Sequence, residues 1–186
     1  MARLVYSAIT SLDGYVNDRE GSFDWCMPDE QVHAAVNDLT RTIDTYLLGR
    51  GMYDVLAVWD TIPTDDPDEP EMSDYARLWQ AADKVVYSTT LDAVDAPRTR
   101  PERSFEVEAV RALVAAADRD VSIGGPTLAA HALRAGLVDE LHLFQSPVII
   151  GGGTRALPDD VWLELELVDQ RRFDNGVVHV HYRVVK

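Results

Sequence analysis

Three short runs in this 186-residue chain place glycine, hydroxyl or arginine residues where phosphate groups can be held. The longest is Val121 to Gly136, where an apolar run ends in Gly124-Gly125 and is followed by Pro126 and Thr127. Proline suits a first helical position, and Gly136 suits the far end of the same helix. Leu128, Ala132 and Ala135 recur at helical spacing, so the run reads as strand, glycine turn, helix. Such a turn leaves backbone N–H groups free at the positive end of a helix, with no Cβ to keep an anion away. The second run, Gly49-Arg50, follows the apolar Thr45-Tyr46-Leu47-Leu48, and Arg50 carries a fork of donors matched to phosphate. In the third, the hydroxyls of Ser88 and Thr89 follow Lys84-Val85-Val86-Tyr87 and suit a ribose or a further phosphate. Each run alone serves a chain reversal more readily than an anion. The spacing G-x-G-x-x-G is absent, so an ordinary Rossmann domain is not indicated. Together they point to a dinucleotide crevice.

Those runs are useful only if the fold aligns them, and the remaining pattern supplies such a frame. Leu4 to Thr10 reads as a first strand, leaving Ser11-Leu12-Asp13-Gly14-Tyr15 as a loop over one end of a sheet. Val32, Val36, Leu39 and Ile43 mark a helix entered through Pro28, Asp29 and Glu30. Asp60 to Asp74, with three prolines and many acids, reads as an exposed connection. Helices follow near Ala76–Ala82 and Val107–Ala117, separated by a strand at Lys84–Tyr87 and a Pro/Arg-containing loop. After Gly136 come a strand at Leu141–Phe144, the apolar run Val148-Ile149-Ile150 and the triple glycine Gly151-Gly152-Gly153. The tail alternates Leu163, Leu165, Leu167 and then Val178, Val180, Tyr182, Val184 with polar residues, around a two-residue hairpin signal at Asn175-Gly176. Alternating strand and helix with a terminal hairpin predicts an α/β fold: a mostly parallel twisted sheet flanked by helices, three layers deep, with a C-terminal antiparallel hairpin. In such a sheet ligands sit at the carboxyl ends of the parallel strands, where all three runs fall.

Composition limits the partners. The net charge is −15, from 17 basic against 32 acidic residues, which opposes binding to nucleic acid or an anionic membrane surface. An anionic cofactor must therefore be held by local donors against the field of the whole chain. One domain spanning residues 1–186 is expected from the length, and a cytoplasmic location from the single cysteine and the lack of a signal-like N-terminus. Cys26 alone excludes an internal disulfide and a cysteine-cluster zinc site. His179 and His181 share one face of a strand, a spacing that can chelate, but the sequence marks no third ligand beside them, so no metal is expected. His33, His131 and His142 stand isolated, and the acids between Asp65 and Glu71 lack the spacing of a calcium loop.

The ordered set Ser11-Leu12-Asp13-Gly14, Leu48-Gly49-Arg50, Ser88-x-Thr90-Leu91, Ile123-Gly124-Gly125 and Pro147-Val148-Ile149-Ile150-Gly151-Gly152-Gly153 resembles the dihydrofolate reductase-like superfamily. It looks most like the branch containing the C-terminal reductase domain of the riboflavin-biosynthesis deaminase/reductase, and the resemblance covers nearly the whole chain. It implies an NADPH-dependent oxidoreductase acting on a small heterocyclic or carbonyl substrate, often a homodimer. It also implies that Gly49, Arg50, Ser88, Gly124 and Gly125 contact the cofactor's phosphates and ribose, to which the reading of the strand ends adds Thr89 and Thr127, and that the Gly124–Gly125 bond is cis. Trp25-x-Met27-Pro28-x-Glu30 resembles the folate-reductase run that ends in a substrate-binding acid, which makes Glu30 the candidate proton donor. Asp13, in the loop after the first strand, is the second candidate. Met52 and Ala129 stand where folate reductases carry threonine and tyrosine, which weighs against dihydrofolate as substrate. A ribosyl phosphate substrate would want a basic pocket, for which Arg19 and Arg155 are the residues on offer. A non-catalytic, dimeric nucleotide-binding module of the same fold is the alternative.

Overall fold

The computed structural model describes residues 1–186. β1 (Leu4–Ser11), β3 (Ile43–Gly49), β4 (Asp83–Tyr87), β5 (Thr99–Glu102), β6 (Asp120–Gly124) and β7 (Glu140–Ser146) run parallel. With β9 (Leu165–Arg172) and β10 (Val178–Val184) they form an eight-stranded sheet of order β5-β4-β3-β6-β1-β7-β10-β9, the last two strands antiparallel. A small separate ribbon pairs β2 (Tyr15–Asn17) with β8 (Thr154–Arg155).

Helices cover both faces because the parallel strands carry apolar side chains on both. On one face α4 (Val107–Ala116) and α5 (Pro126–Arg134) bury Val110, Leu128, Ala132 and Leu133 against Leu4, Leu47, Val121, Ile123 and Leu141. On the other, α2 (Arg50–Leu56) and α3 (Pro70–Ala81) bring Tyr53, Tyr75 and Trp79 onto Val5, Tyr46, Leu48 and Val86. Beside them α1 (Glu30–Thr40) sets Val32 against Phe144, Phe173 and Val177. Each large side chain so buried stabilises the fold by roughly 1.5–3 kcal/mol.

Four expectations need correction. Ile43 continues the apolar spacing of α1 but opens β3: the helix stops at Thr40, and Ile43 turns into the Tyr46–Trp79 cluster at 7% exposure. The stretch Asp60–Asp74 is not all connection, since Pro70 starts α3 and Ser73 is buried within it. The Pro/Arg loop contains β5, an edge strand in which Pro101 is tolerated because the outer side needs no ladder donor. The apolar run Val148–Ile150, apart from these four, lies outside the sheet: Val148 O accepts from Leu12 N at 2.8 Å, and Ile149 is 71% exposed. The terminal hairpin does not turn on two residues. Gly176 N donates to Phe173 O and Phe173 N to Val177 O, so Asp174–Gly176 form a three-residue loop, with only Gly176 (φ +89°) left-handed.

Candidate cofactor crevice and substrate cleft

Because six strands run parallel, their carboxyl ends share one edge of the sheet, and the predicted runs meet there. β3 passes directly into α2, with Gly49 as the capping residue and Arg50 as the first helical one. β6 passes into α5 through Gly125, whose φ of +91° is a conformation that L side chains rarely adopt. The chain reverses at that left-handed residue, and the Gly124–Gly125 bond is trans, not cis, as are all others in the protein. β3 and β6 are neighbours, so the two turns abut. A Cβ placed on Gly125 would lie 3.8 Å from Gly49 N, and one on Gly49 would lie 3.9 Å from Gly124 O and 3.6 Å from Leu128 Cβ. Neither helix start has a side-chain cap. Two sets of unpaired N–H groups therefore open side by side at positive helix ends, a cradle that any Cβ would begin to fill.

Around the cradle the side chains are exposed and arranged by small polar contacts. Arg50 Nε donates to both oxygens of Asp54 at 2.9 Å, one turn along α2. Thr127 is the exposed second residue of α5. Beyond β4, Ser88 Oγ accepts from the N–H groups of Thr90 and Leu91 at 3.3 and 3.2 Å, closing the turn that presents Thr89. Arg103, just past β5, donates to Thr89 O at 2.6 Å and pairs with Asp92. It was missed in the sequence because its position depends on β5, a strand with no apolar alternation to reveal it.

A second opening lies past the carboxyl ends of β1 and β7. A cleft of about 720 Å³ is lined by Tyr15, Asp18, Arg19, Gly151–Thr154, Arg155 and Asp159. It brings together the two arginines proposed for an anionic substrate. Arg19 Nη2 donates to Gly151 O at 3.1 Å, while Arg155 lies over the Tyr15 ring and within 3.3 Å of Asp159. Asp13 braces this wall: its carboxylate accepts from Ile150 N at 3.2 Å and Gly151 N at 2.8 Å. The Ser11 hydroxyl, with those N–H groups, holds the Asp13 carboxyl below its ordinary range. Glu30 is exposed at the start of α1, where Asp29 caps the helix by accepting from Val32 N at 2.9 Å. α1 runs back toward the amino end of β3, which puts Glu30 at the carboxyl edge, although it does not line the arginine cleft. Nearby, Trp25 Nε1 is buried with no hydrogen-bond partner. The Cys26 thiol donates to Phe23 O, and burial pushes its pKa up to about 11, away from reactivity.

The same arrangement of the chain recurs among known proteins. Residues 2–179 match the model of the RibD C-terminal domain. The chain belongs to the RibD C-terminal domain family. Within reach of this RibD-type chain by sequence is the uncharacterized protein YyaP of Bacillus subtilis (strain 168), 30% identical over 183 residues, or 97% of this chain and 94% of YyaP. By structure the "Putative riboflavin biosynthesis protein" of Shewanella sp. PV-4 superposes with a TM-score of 0.77 at 20% identity, covering 99% of both chains. Dihydrofolate reductase from Enterococcus faecalis, complexed with NADP(H) and RAB-propyl, superposes at 0.65 and 16% identity, covering 99% of this chain and 97% of that one. The RibD C-terminal domain described here thus has the dihydrofolate reductase-like fold. None of its helices is long and apolar enough to cross a membrane.

Three of the five histidines of this RibD-type domain gather far from the crevice. β7 and β10 pair His142 with His181 and Phe144 with His179, so the imidazoles stack, with ring centroids 4.0 Å apart for His142–His181. Burial, followed by the charges of neighbouring histidines, lowers His142 to about 3; burial likewise lowers His179 to about 4.

Proposed function

We propose that this protein is an NADPH-dependent reductase of a small, anionic heterocyclic or carbonyl substrate. The observation that carries this reading is the abutting pair of glycine turns, which opens two uncapped helix starts toward one point at the carboxyl edge. Backbone N–H groups after Gly49 and Gly125 would hold the pyrophosphate, and Arg50 or Arg103 the additional phosphate that separates NADPH from NADH. Thr127, Ser88 and Thr89 offer hydroxyls to the same groups. The bound cofactor would supply the hydride. Arg19 and Arg155 would seat an anionic part of the substrate in the neighbouring cleft, a fit to a ribosyl phosphate. Asp13, already committed as an acceptor and held acidic, fits a bracing role in that wall and not that of proton donor. That leaves Glu30 as the group to hold substrate ring nitrogens and deliver a proton, with Trp25 Nε1 as an unspent donor on the same approach. The working unit in this reading is a cytoplasmic homodimer, in which a second copy would cover exposed Ile149 and Trp162.

NADPH oxidation is to be followed with a substrate panel that includes dihydrofolate and the ribosylaminopyrimidine intermediate of riboflavin synthesis. Glu30→Gln should lower turnover by about 10²–10⁴-fold, the usual scale for a general acid, while leaving NADPH affinity unchanged. NADPH binding without turnover on any such substrate would favour the non-catalytic nucleotide-binding module. Unaltered turnover in the variant would return Glu30 to the role of a helix-start acid.

A further inference from the structure

At the amino end of β7, away from the cofactor crevice, a carboxylate and two imidazoles converge without a hydrogen-bonding solution of their own. Glu140 is 3% exposed and His142 6%, and His181 faces them from β10. Glu140 Oε2 lies 3.2 Å from His181 Nε2 and 3.9 Å from His142 Nε2, and the three ligand atoms all fall within 4.8 Å of one another. Both Nε2 atoms are buried, and neither has a partner of acceptable geometry. Two orphaned imidazole nitrogens inside one small site are costly, because each forfeits its hydration without a replacement.

We propose that Glu140, His142 and His181 bind one divalent transition metal, Zn²⁺ by ligand type, and that the ion pins β10 to β7. A two-histidine, one-carboxylate set suits zinc, and bonds of about 2.0–2.2 Å in a tetrahedral shell require ligand atoms about 3.4 Å apart. The observed 3.2 and 3.9 Å need only small side-chain rotations to reach that spacing. The surroundings are already those of a metal site. His142 Nδ1 lies 3.1 Å from His179 Nε2, a contact that fixes the ring and, with Nδ1 as the donor, leaves the Nε2 lone pair for the ion. Arg3 takes the other Glu140 oxygen at 2.6 Å, leaving Oε2 for the ion, and Arg3 is itself balanced by Asp120. The His181 side chain keeps 16% exposure, so the buried ligand atoms lie one ring from solvent, the side from which an ion would enter. The sequence displayed His179 and His181 on one face. It could not show that the pairing register of β7 and β10 brings His142 opposite His181, with Glu140 two residues further along the same face of β7.

The test uses the full chain, freed of metal by chelator and gel filtration, then titrated with ZnCl₂ or CoCl₂ alone. One equivalent of zinc should remain bound after gel filtration, and Co²⁺ should give the strong visible bands of a low-coordinate site. At a free concentration one hundred times Kd, zinc should raise Tm by about 5–10 °C, and chelator should reverse the rise. His181→Phe keeps a ring in the stack but removes a ligand atom, so it should fold, lose the bound equivalent and show no zinc-dependent shift. His131→Gln, on the exposed face of α5, should bind as the wild type does. A wild-type protein that retains no metal, or a His181→Phe variant that retains it equally, overturns the proposal and leaves a buried imidazole stack facing Glu140. NADPH binding depends on the opposite edge, so its loss or retention bears on the reductase reading and not on this site.

Discussion

Gly49→Ala separates fold from cofactor binding more cleanly than any other single change at the crevice. Its backbone, at φ −66° and ψ 150°, is one that alanine adopts freely, and the new Cβ would meet Leu128 Cβ at 3.6 Å and Gly124 O at 3.9 Å, ordinary contacts. As a helix cap, alanine is worse than glycine by about 0.5–1 kcal/mol. Loss of chain entropy in the unfolded state returns about 0.4–1 kcal/mol. The two nearly cancel, so Tm should move by no more than about 1–2 °C. The methyl group, however, stands in the gap between the two helix starts. If it displaces a phosphate from one charge-assisted N–H bond, binding loses about 1.5–3 kcal/mol, which is about 10–150-fold in Kd. Calorimetric titration with NADPH alongside thermal melting reads both numbers. Gly125→Ala provides the contrast: at φ +91°, with Met52 Cβ only 3.3 Å from the new atom, it should cost about 1–3 kcal/mol of stability as well. Unchanged NADPH affinity in a folded Gly49→Ala protein would refute the crevice assignment. A large loss of stability in that variant would refute the packing argument.

Arg50→Ala should weaken NADPH binding by about 1.5–3 kcal/mol and NADH binding by less, if the guanidinium meets the additional phosphate. Equal, negligible effects by calorimetry would shift that role to Arg103, whose alanine variant is the companion measurement. Lys84 is 1% exposed, and its ammonium donates to Trp79 O and Ala82 O at 3.0 and 3.1 Å. Lys84→Met should cost about 1–3 kcal/mol by removing the ammonium's bonds to both carbonyls, with Trp79 O keeping only its bond from Ala82 N. Burial lowers the Lys84 pKa below its ordinary value, so in alkaline solution the unfolded chain holds its proton longer than the native one. The wild-type advantage over Lys84→Met in chemical denaturation should therefore grow as pH rises toward about 10.5, the ordinary lysine value. Sedimentation at micromolar concentration should give a dimer that Ile149→Lys converts to monomer, because Ile149 is 71% exposed with no cover of its own.

The glycine turns were legible because their chemistry is local: Gly124-Gly125-Pro126 dictates a strand-to-helix reversal wherever it stands. Ile43 was not, because helical spacing has no stop signal there; neither Gly nor Pro separates Leu39 from Ile43. Strand β5 (Thr-Arg-Pro-Glu) has no apolar alternation at all, and forms only because the edge of β4 offers it a ladder. The trans Gly124–Gly125 bond is a departure from what the family resemblance implied, and nothing in the residue types could reveal it. Site residues divide along the same line. Glycine and hydroxyl positions followed from neighbours in sequence, and Arg19 and Arg155 from their loops, whereas Arg103 and the Glu140–His142–His181 cluster depend on register between distant strands.

Polar satisfaction is distributed unevenly between the two edges of the sheet, and the unevenness matches the proposed cofactor binding. At the amino edge Arg3 bridges Asp120 and Glu140, whose side chains are 9% and 4% exposed, and Asp139 accepts from Leu4 N. At the carboxyl edge the arginines are paired more loosely: Arg50 with Asp54, Arg155 with Asp159, and Arg103 with Asp92, each acid at least half exposed. Exposed pairs of this kind contribute about 0–1 kcal/mol, so an arriving phosphate can take the arginine while the carboxylate returns to water. The pairing also keeps each guanidinium extended before any ligand arrives, which reduces the side-chain entropy lost on binding. In a chain of net charge −15 this placement matters further. Repulsion from distant carboxylates is screened over about 8 Å at physiological ionic strength, so an anion at the crevice feels chiefly the local arginines and helix ends. A protein this acidic can therefore hold a phosphate-rich cofactor, provided that the cations and open N–H groups stand together at one edge and the tightly paired acids at the other.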